Sequence, residues 1–176
     1  MKNIFATFAF ILFISMAASA QNPSKSLAIG DAVPNFTLTD QNGKAFNIKD
    51  EIGKHIMVVY FYPKDESMVC TKEACAFRDS FDDYTKAGAQ VIGINGGTVQ
   101  SHKAFADHYK LPFVLLSDPD NKVYKMFGVQ KKFFMSGRQT FVVDMKGKIA
   151  FSYEAMLSGA GHSEKALAVV RSLNKK

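Results

Sequence analysis

Cys70 and Cys75 are the only two cysteines in a chain of 176 residues, and their setting points to redox chemistry. Cys70, Ala74, Phe77, Phe81 and Tyr84 fall on one stripe of an amphipathic helix, which puts Cys70 in the first turn on the core side. A first turn carries unpaired N–H groups and the positive end of the macrodipole, both of which favour a thiolate over a thiol. Cys70 is therefore the better nucleophile. In an ideal helix Cys75 stands roughly 140° around and about 7.5 Å along, so the two Cα atoms are roughly 8.5 Å apart. A disulfide spans less than about 7 Å. The pair can bond only if the first turns unwind, which suits a switch. A staple is a poor reading, because so short a loop gains least from cross-linking in the chain-entropy model.

Other elements must hold this helix in place. Residues 56–62 are an apolar run rich in Val, Tyr and Phe that suits a buried strand; Pro63 stops it and a polar turn follows. The cysteine helix is predicted to continue to Ala87-Gly88, where glycine is a natural cap. Upstream, short strands near 36–38 and 46–48 flank Asp40-Gln41-Asn42-Gly43, a hairpin signal. Downstream come a strand at 91–94, a helix at 99–109, a strand at 113–116 and a short helix at 121–127. A hairpin of 140–143 and 149–153 and a closing helix at 163–173 complete the chain. This order predicts an α/β protein with a mixed central sheet flanked by helices and an N-terminal β-hairpin.

Lys2, the apolar run 4–16 and Ala18-Ser19-Ala20 before Gln21 read as a signal peptide cleaved after residue 20, so an exported, periplasmic or extracellular protein is expected. The run is short for a membrane span, and no stable insertion is expected after cleavage. Residues 21–27 form a polar leader and 28–176 a single domain. The net charge of +6 is spread over scattered lysines, with pairs only at Lys131-Lys132 and Lys175-Lys176. No basic stripe interleaved with aromatics argues for nucleic acid. The four histidines, His55, His102, His108 and His162, stand at no ligand spacing with a cysteine, so neither a metal nor another cofactor is expected. Gly93-Ile94-Asn95-Gly96-Gly97 lacks the Lys-Ser or Lys-Thr of a phosphate cradle and reads as a strand-to-helix turn. No local base serves Cys70 as in a hydrolase.

The stretch Pro63-Lys64-Asp65-Glu66-Ser67-Met68-Val69-Cys70-Thr71-Lys72-Glu73-Ala74-Cys75 resembles the peroxiredoxin motif Pro-x-x-x-Thr/Ser-x-x-Cys. Its Cys-x4-Cys spacing resembles the bacterioferritin-comigratory, or Q-type, branch of the AhpC/TSA peroxiredoxins. The likeness runs from about Ala28 to the last helix and includes 111–120 and 138–144. It implies a thioredoxin-like fold and a thiol peroxidase acting on hydrogen peroxide and organic hydroperoxides. By the same likeness Cys70 becomes a sulfenic acid, Cys75 resolves it to an intramolecular disulfide, and a thioredoxin-like protein reduces that bond. Arg138 would hold the thiolate and the peroxide oxygens, Ser67 would hydrogen-bond the same oxygens, and Pro63 would shield the site. The resemblance also favours a monomer.

Two departures from the family pattern stand out. Ser67-Met68-Val69 replaces the usual Thr-Pro-Gly, and Asn95-Gly96-Gly97 replaces a usual Ser-x-Asp turn, with no consequence evident for the second. Two other functions fit a thioredoxin-like scaffold. An exported disulfide oxidoreductase generally needs Cys-x-x-Cys, and a thiol- or copper-binding module needs a third soft or imidazole ligand, for which Met68 is the only nearby candidate. Thr71 and Glu73 read as first-turn residues that complement the dipole, and Phe77, Phe81, Tyr84 and Phe141 as core.

Overall fold

The computed structural model describes residues 25–132 and 134–175. Its elements are β1 (Thr37–Asp40), β2 (Ala45–Asn47), β3 (Ile56–Phe61), α1 (Met68–Asp79), α2 (Phe81–Lys86), β4 (Ala89–Asn95), α3 (Val99–Tyr109), β5 (Val114–Ser117), α4 (Lys122–Met126), β6 (Gln139–Val143), β7 (Ile149–Glu154) and α5 (Gly159–Leu173). Seven strands form one mixed sheet in the order β2-β1-β5-β4-β3-β6-β7. β3 runs parallel to β4 and antiparallel to β6, and every residue of β3 is buried.

That burial explains the unbroken apolar sequence of β3. Its side chains alternate between two cores, as the period of a strand requires. Val58 and Tyr60 join Cys70, Phe77, Tyr84, Phe105 and Val170 on one face. Met57, Val59 and Phe61 join Phe127 and Phe141 on the other. The Tyr60 ring stacks on Phe77 with centroids 4.6 Å apart, which fixes α1 against the strand that delivers the active loop.

The expected mixed sheet, flanking helices and N-terminal hairpin are all present, but two helices differ from the sequence reading. The single helix predicted from 70 to 87 is two, broken at Ser80 (φ −100°, ψ 8°). Serine competes locally for backbone groups, and Asp82 and Asp83 behind it suit the first turn of a new helix. The bend seats Tyr84, whose hydroxyl donates to the Ser163 carbonyl at 2.7 Å. The last helix starts at Gly159, four residues before the predicted Ser163. A Cβ on Gly159 would lie 2.7 Å from the Val69 carbonyl oxygen, so the glycine is what lets α5 close on the first turn of α1.

Residues 25–27, expected in the polar leader, dock on the domain. The Leu27 N–H donates to the Phe127 carbonyl at 3.0 Å, and Gln139 Nε2 donates to Ser26 Oγ at 2.8 Å. The expected signal segment 1–20 lies outside the described residues.

Candidate active site

Pro63 lies half-buried two residues beyond the end of β3, at the head of a five-residue loop, 63–67, that leads into α1. Met68, Val69 and Cys70 form the first turn, closed by the Thr71 N–H donating to the Ser67 carbonyl at 2.8 Å. Ser67 occupies the N-cap position with extended backbone (φ −75°, ψ 143°), but its hydroxyl makes no cap hydrogen bond and instead donates to the Lys64 carbonyl at 3.2 Å. The capping option open to Ser67 is thus not taken. Val69 is half-buried, whereas Met68 is 73% exposed.

Cys70 is only 1% exposed, and both it and half-buried Cys75 are free thiols on an intact α1. Arg138, on the residue before β6, reaches across to it. Its Nη2 donates to Cys70 Sγ at 3.0 Å, its Nε donates to the Met156 carbonyl at 3.1 Å, and its Nη1 pairs with Glu73. A guanidinium has five N–H donors in a rigid fork. Three are taken by these partners, and two remain for a substrate oxygen beside the sulfur. The structure therefore brings Arg138 and Cys70 together, with Pro63 and Ser67 on the loop that enters the same helix; Cys75 stands a little more than one turn away.

Glu73 departs from the sequence reading. It is wholly buried as the partner of Arg138 and is not a first-turn complement to the dipole. Burial pushes its carboxyl up, and the charge and hydrogen bond of Arg138 pull it back down. Nothing local signalled this, since the partner lies in another element far along the chain.

His162 lies beside this pair, with Nδ1 3.6 Å from Glu73 Oε1. Its Nε2 meets the Ala155 carbonyl at 2.9 Å, and Nδ1 meets Thr140 Oγ1 at 2.8 Å. A ring that donates at Nε2 and accepts at Nδ1 is neutral. Burial lowers its pKa from 6.5 to about 4. In that interval the unfolded chain takes up a proton that the fold refuses, so this contribution to stability is full above pH 6.5 and is lost as the pH falls toward 4. Urea titrations should show a larger loss between about pH 7 and about pH 4.5 for the native protein than for His162→Asn. Equal losses in the two proteins would contradict this assignment.

On the far side of the loop, Asp65 is buried among donors. Tyr62 Oη and Asn95 Nδ2 donate to its Oδ1 at 2.8 and 2.9 Å; Ser101 Oγ and His102 Nδ1 donate to its Oδ2 at 2.5 and 2.8 Å. Burial alone would raise this carboxyl, but the hydrogen bonds from His102 and Ser101 and the charge of His102 outweigh it and hold the group below its usual range. Asn95 and Gly97 belong to this cluster: the Gly97 N–H donates to Asn95 Oδ1 at 2.5 Å. A Cβ on Gly97 would meet that oxygen at 2.8 Å and His102 Cε1 at 2.9 Å. The Asn95-Gly96-Gly97 departure from the family pattern thus has a packing reason that the sequence did not reveal.

Residues 29–152 match the AhpC/TSA family. The chain is a peroxiredoxin of the AhpC/TSA family. It is similar to chloroplastic peroxiredoxin Q of Triticum aestivum, with 47% identity over 159 residues that cover 89% of this chain and 73% of the relative. Among solved structures it is similar to peroxidoxin BcpB of Mycobacterium tuberculosis, with a TM-score of 0.77 and 32% identity, covering 82% of this chain and 97% of that one. It is also similar to the bacterioferritin comigratory protein of Xanthomonas campestris, a protein with alkyl peroxide reduction activity, with a TM-score of 0.74 and 27% identity, covering 82% and 99%. This peroxiredoxin is thus a peroxidase of the Q-type branch with a thioredoxin-like fold.

The comparisons correct one expectation. Plant relatives matched at 44% to 49% identity are chloroplastic by name, which overturns the expected periplasmic or extracellular address. Among the described residues no helix is long and apolar enough to cross a membrane.

Proposed function

We propose that this peroxiredoxin reduces hydrogen peroxide and organic hydroperoxides through Cys70 and Cys75, with a thioredoxin-like protein as electron donor. The observation that carries the reading is the Arg138 guanidinium 3.0 Å from Cys70 Sγ, at the start of a helix. The Cys70 thiolate attacks the terminal oxygen of the peroxide. The O–O bond breaks, and the departing alkoxide or hydroxide takes up a proton. Arg138 orients the peroxide and receives the charge that develops on its oxygens, with the Cys70 N–H as a further donor and the Ser67 hydroxyl as another once it turns from the Lys64 carbonyl. The sulfenic acid on Cys70 then condenses with the Cys75 thiol, releasing water and forming the disulfide. Two electrons from a dithiol protein restore both thiols.

Pro63 shields the sulfur on the loop side. The protein acts as a monomer, which light scattering on the reduced protein would check. Peroxide-dependent oxidation of reduced thioredoxin by catalytic amounts of the protein tests the whole cycle. No turnover above the rate of thioredoxin with peroxide alone would defeat it. Exposed Met68 and half-buried Val69 give the approach an apolar rim, so kcat/KM for cumene hydroperoxide is expected to exceed that for hydrogen peroxide. An equal or lower value would show that the rim has no part in selecting the substrate.

A further inference from the structure

Asp65 stands between two structures that the reaction treats differently. On one side it is gripped by Tyr62 at the end of β3, Asn95 at the end of β4, and Ser101 and His102 in α3. On the other side only Glu66 separates it from Ser67, the N-cap of the cysteine helix. Asp65 is 6% exposed, and His102 is fully buried. His102 Nε2 lies 3.2 Å from the Leu116 carbonyl, so both ring nitrogens face groups that only accept hydrogen bonds. The ring is thus held at both nitrogens, with Nδ1 2.8 Å from the Asp65 carboxylate. A second observation marks the joint. Glu66 has φ +60°, a left-handed conformation disfavoured for a residue with a Cβ, and its side chain reaches out to His108 at 3.1 Å on the surface.

We propose that the Asp65–His102 pair is a latch that positions Cys70 by holding the 63–67 loop, and that it sets the balance between intact and unwound α1. The inference rests on the Cys70–Cys75 cycle above. The strained joint at Glu66 favours release of the helix start, and the four donors on Asp65 oppose it. Forming the disulfide unwinds the first turns, relaxes Glu66 and loosens Asp65 from its donors. The latch therefore stabilises the dithiol form more than the disulfide form, and Asp65 and His102 are positioning residues that do not touch the peroxide.

The test is the reduction potential of the Cys70–Cys75 couple in dithiothreitol redox buffers, which needs no peroxide and no partner protein. Asp65→Asn sets an amide N–H against existing donors and is expected to favour the disulfide about tenfold, a shift of about 30 mV to more negative potential. Ser101→Ala, which removes one donor, should move it severalfold in the same direction and serves if Asp65→Asn folds poorly. Glu66→Asn, better suited to a left-handed backbone, should move it severalfold the other way. An ordinary structural role weakens both redox forms alike, so unchanged potentials in all three variants would overturn the latch. Failure of the native protein to form the disulfide at all would instead remove the cycle on which the latch depends.

Discussion

Arg138→Met is expected to lower kcat/KM for hydrogen peroxide by about 10²- to 10³-fold, or roughly 3–4 kcal/mol of transition-state stabilisation. Lowering a thiol's pKa enlarges the thiolate fraction but reduces its nucleophilicity, with a Brønsted slope of about 0.4–0.5, so activating the sulfur alone yields a modest gain. Most of the acceleration must come from donors aimed at the breaking O–O bond, and Arg138 is the charged donor in contact with Cys70 Sγ. The substitution also strands Glu73, which is buried with Arg138 as its ion-pair partner. Arg138→Met combined with Glu73→Gln should recover stability in urea titrations without recovering the rate. Recovery of both would show that Arg138 acts only as the counter-ion of Glu73. Arg138→Lys should also remain slow, because an ammonium cannot contact Met156, Glu73 and Cys70 with a single planar fork.

The second large effect separates the two cysteines. Cys70→Ser is expected to reduce peroxide turnover to background, since no other thiol stands beside Arg138. Cys75→Ser should keep the first step at near-native speed, accumulate a sulfenic acid that a dimedone-type reagent traps, and stall thioredoxin-driven turnover. In the native protein the disulfide requires the start of α1 to open, so amides of residues 68–75 should exchange faster in the disulfide form than in the reduced form. Unchanged protection there would rule out pairing of Cys70 with Cys75 within one chain.

The sequence carried the fold well where periodicity and burial agree. Residues 99–109 read as a helix and form α3, and the apolar run at 56–62 reads as a buried strand and forms β3. The first-turn placement of Cys70 was legible for the same reason, because one stripe of apolar residues reports which side of a helix faces the core. Elements started by glycine or interrupted by serine were not. Gly159 is needed for a close backbone approach that no pattern encodes, and the Ser80 break divides a stripe that stays in phase across it.

The charged part of the site was the least legible. A single sequence assigns Asp65, Glu73 and His102 to the surface by default, because charged residues are seldom fully buried unless paired. Their partners come from distant elements: β3 and β6 are adjacent strands, which brings Arg138 to α1, and β4 and α3 bring Asn95, Ser101 and His102 to the loop. Burial of these charges becomes visible only once the sheet order is known. The two-residue grip of Arg138 on Glu73 and Cys70 is thus a product of topology more than of local motif.

The most direct test of the Cys70–Cys75 cycle is a stopped-flow reaction of the reduced native protein with one equivalent of hydrogen peroxide, followed by a thiol count and a mass measurement. The predicted result is rapid loss of two thiols per peroxide consumed, in a chain that stays monomeric and becomes lighter by two hydrogens. Oxidation at the rate of an ordinary free thiol, or loss of one thiol per chain with cross-linked dimers, would contradict it.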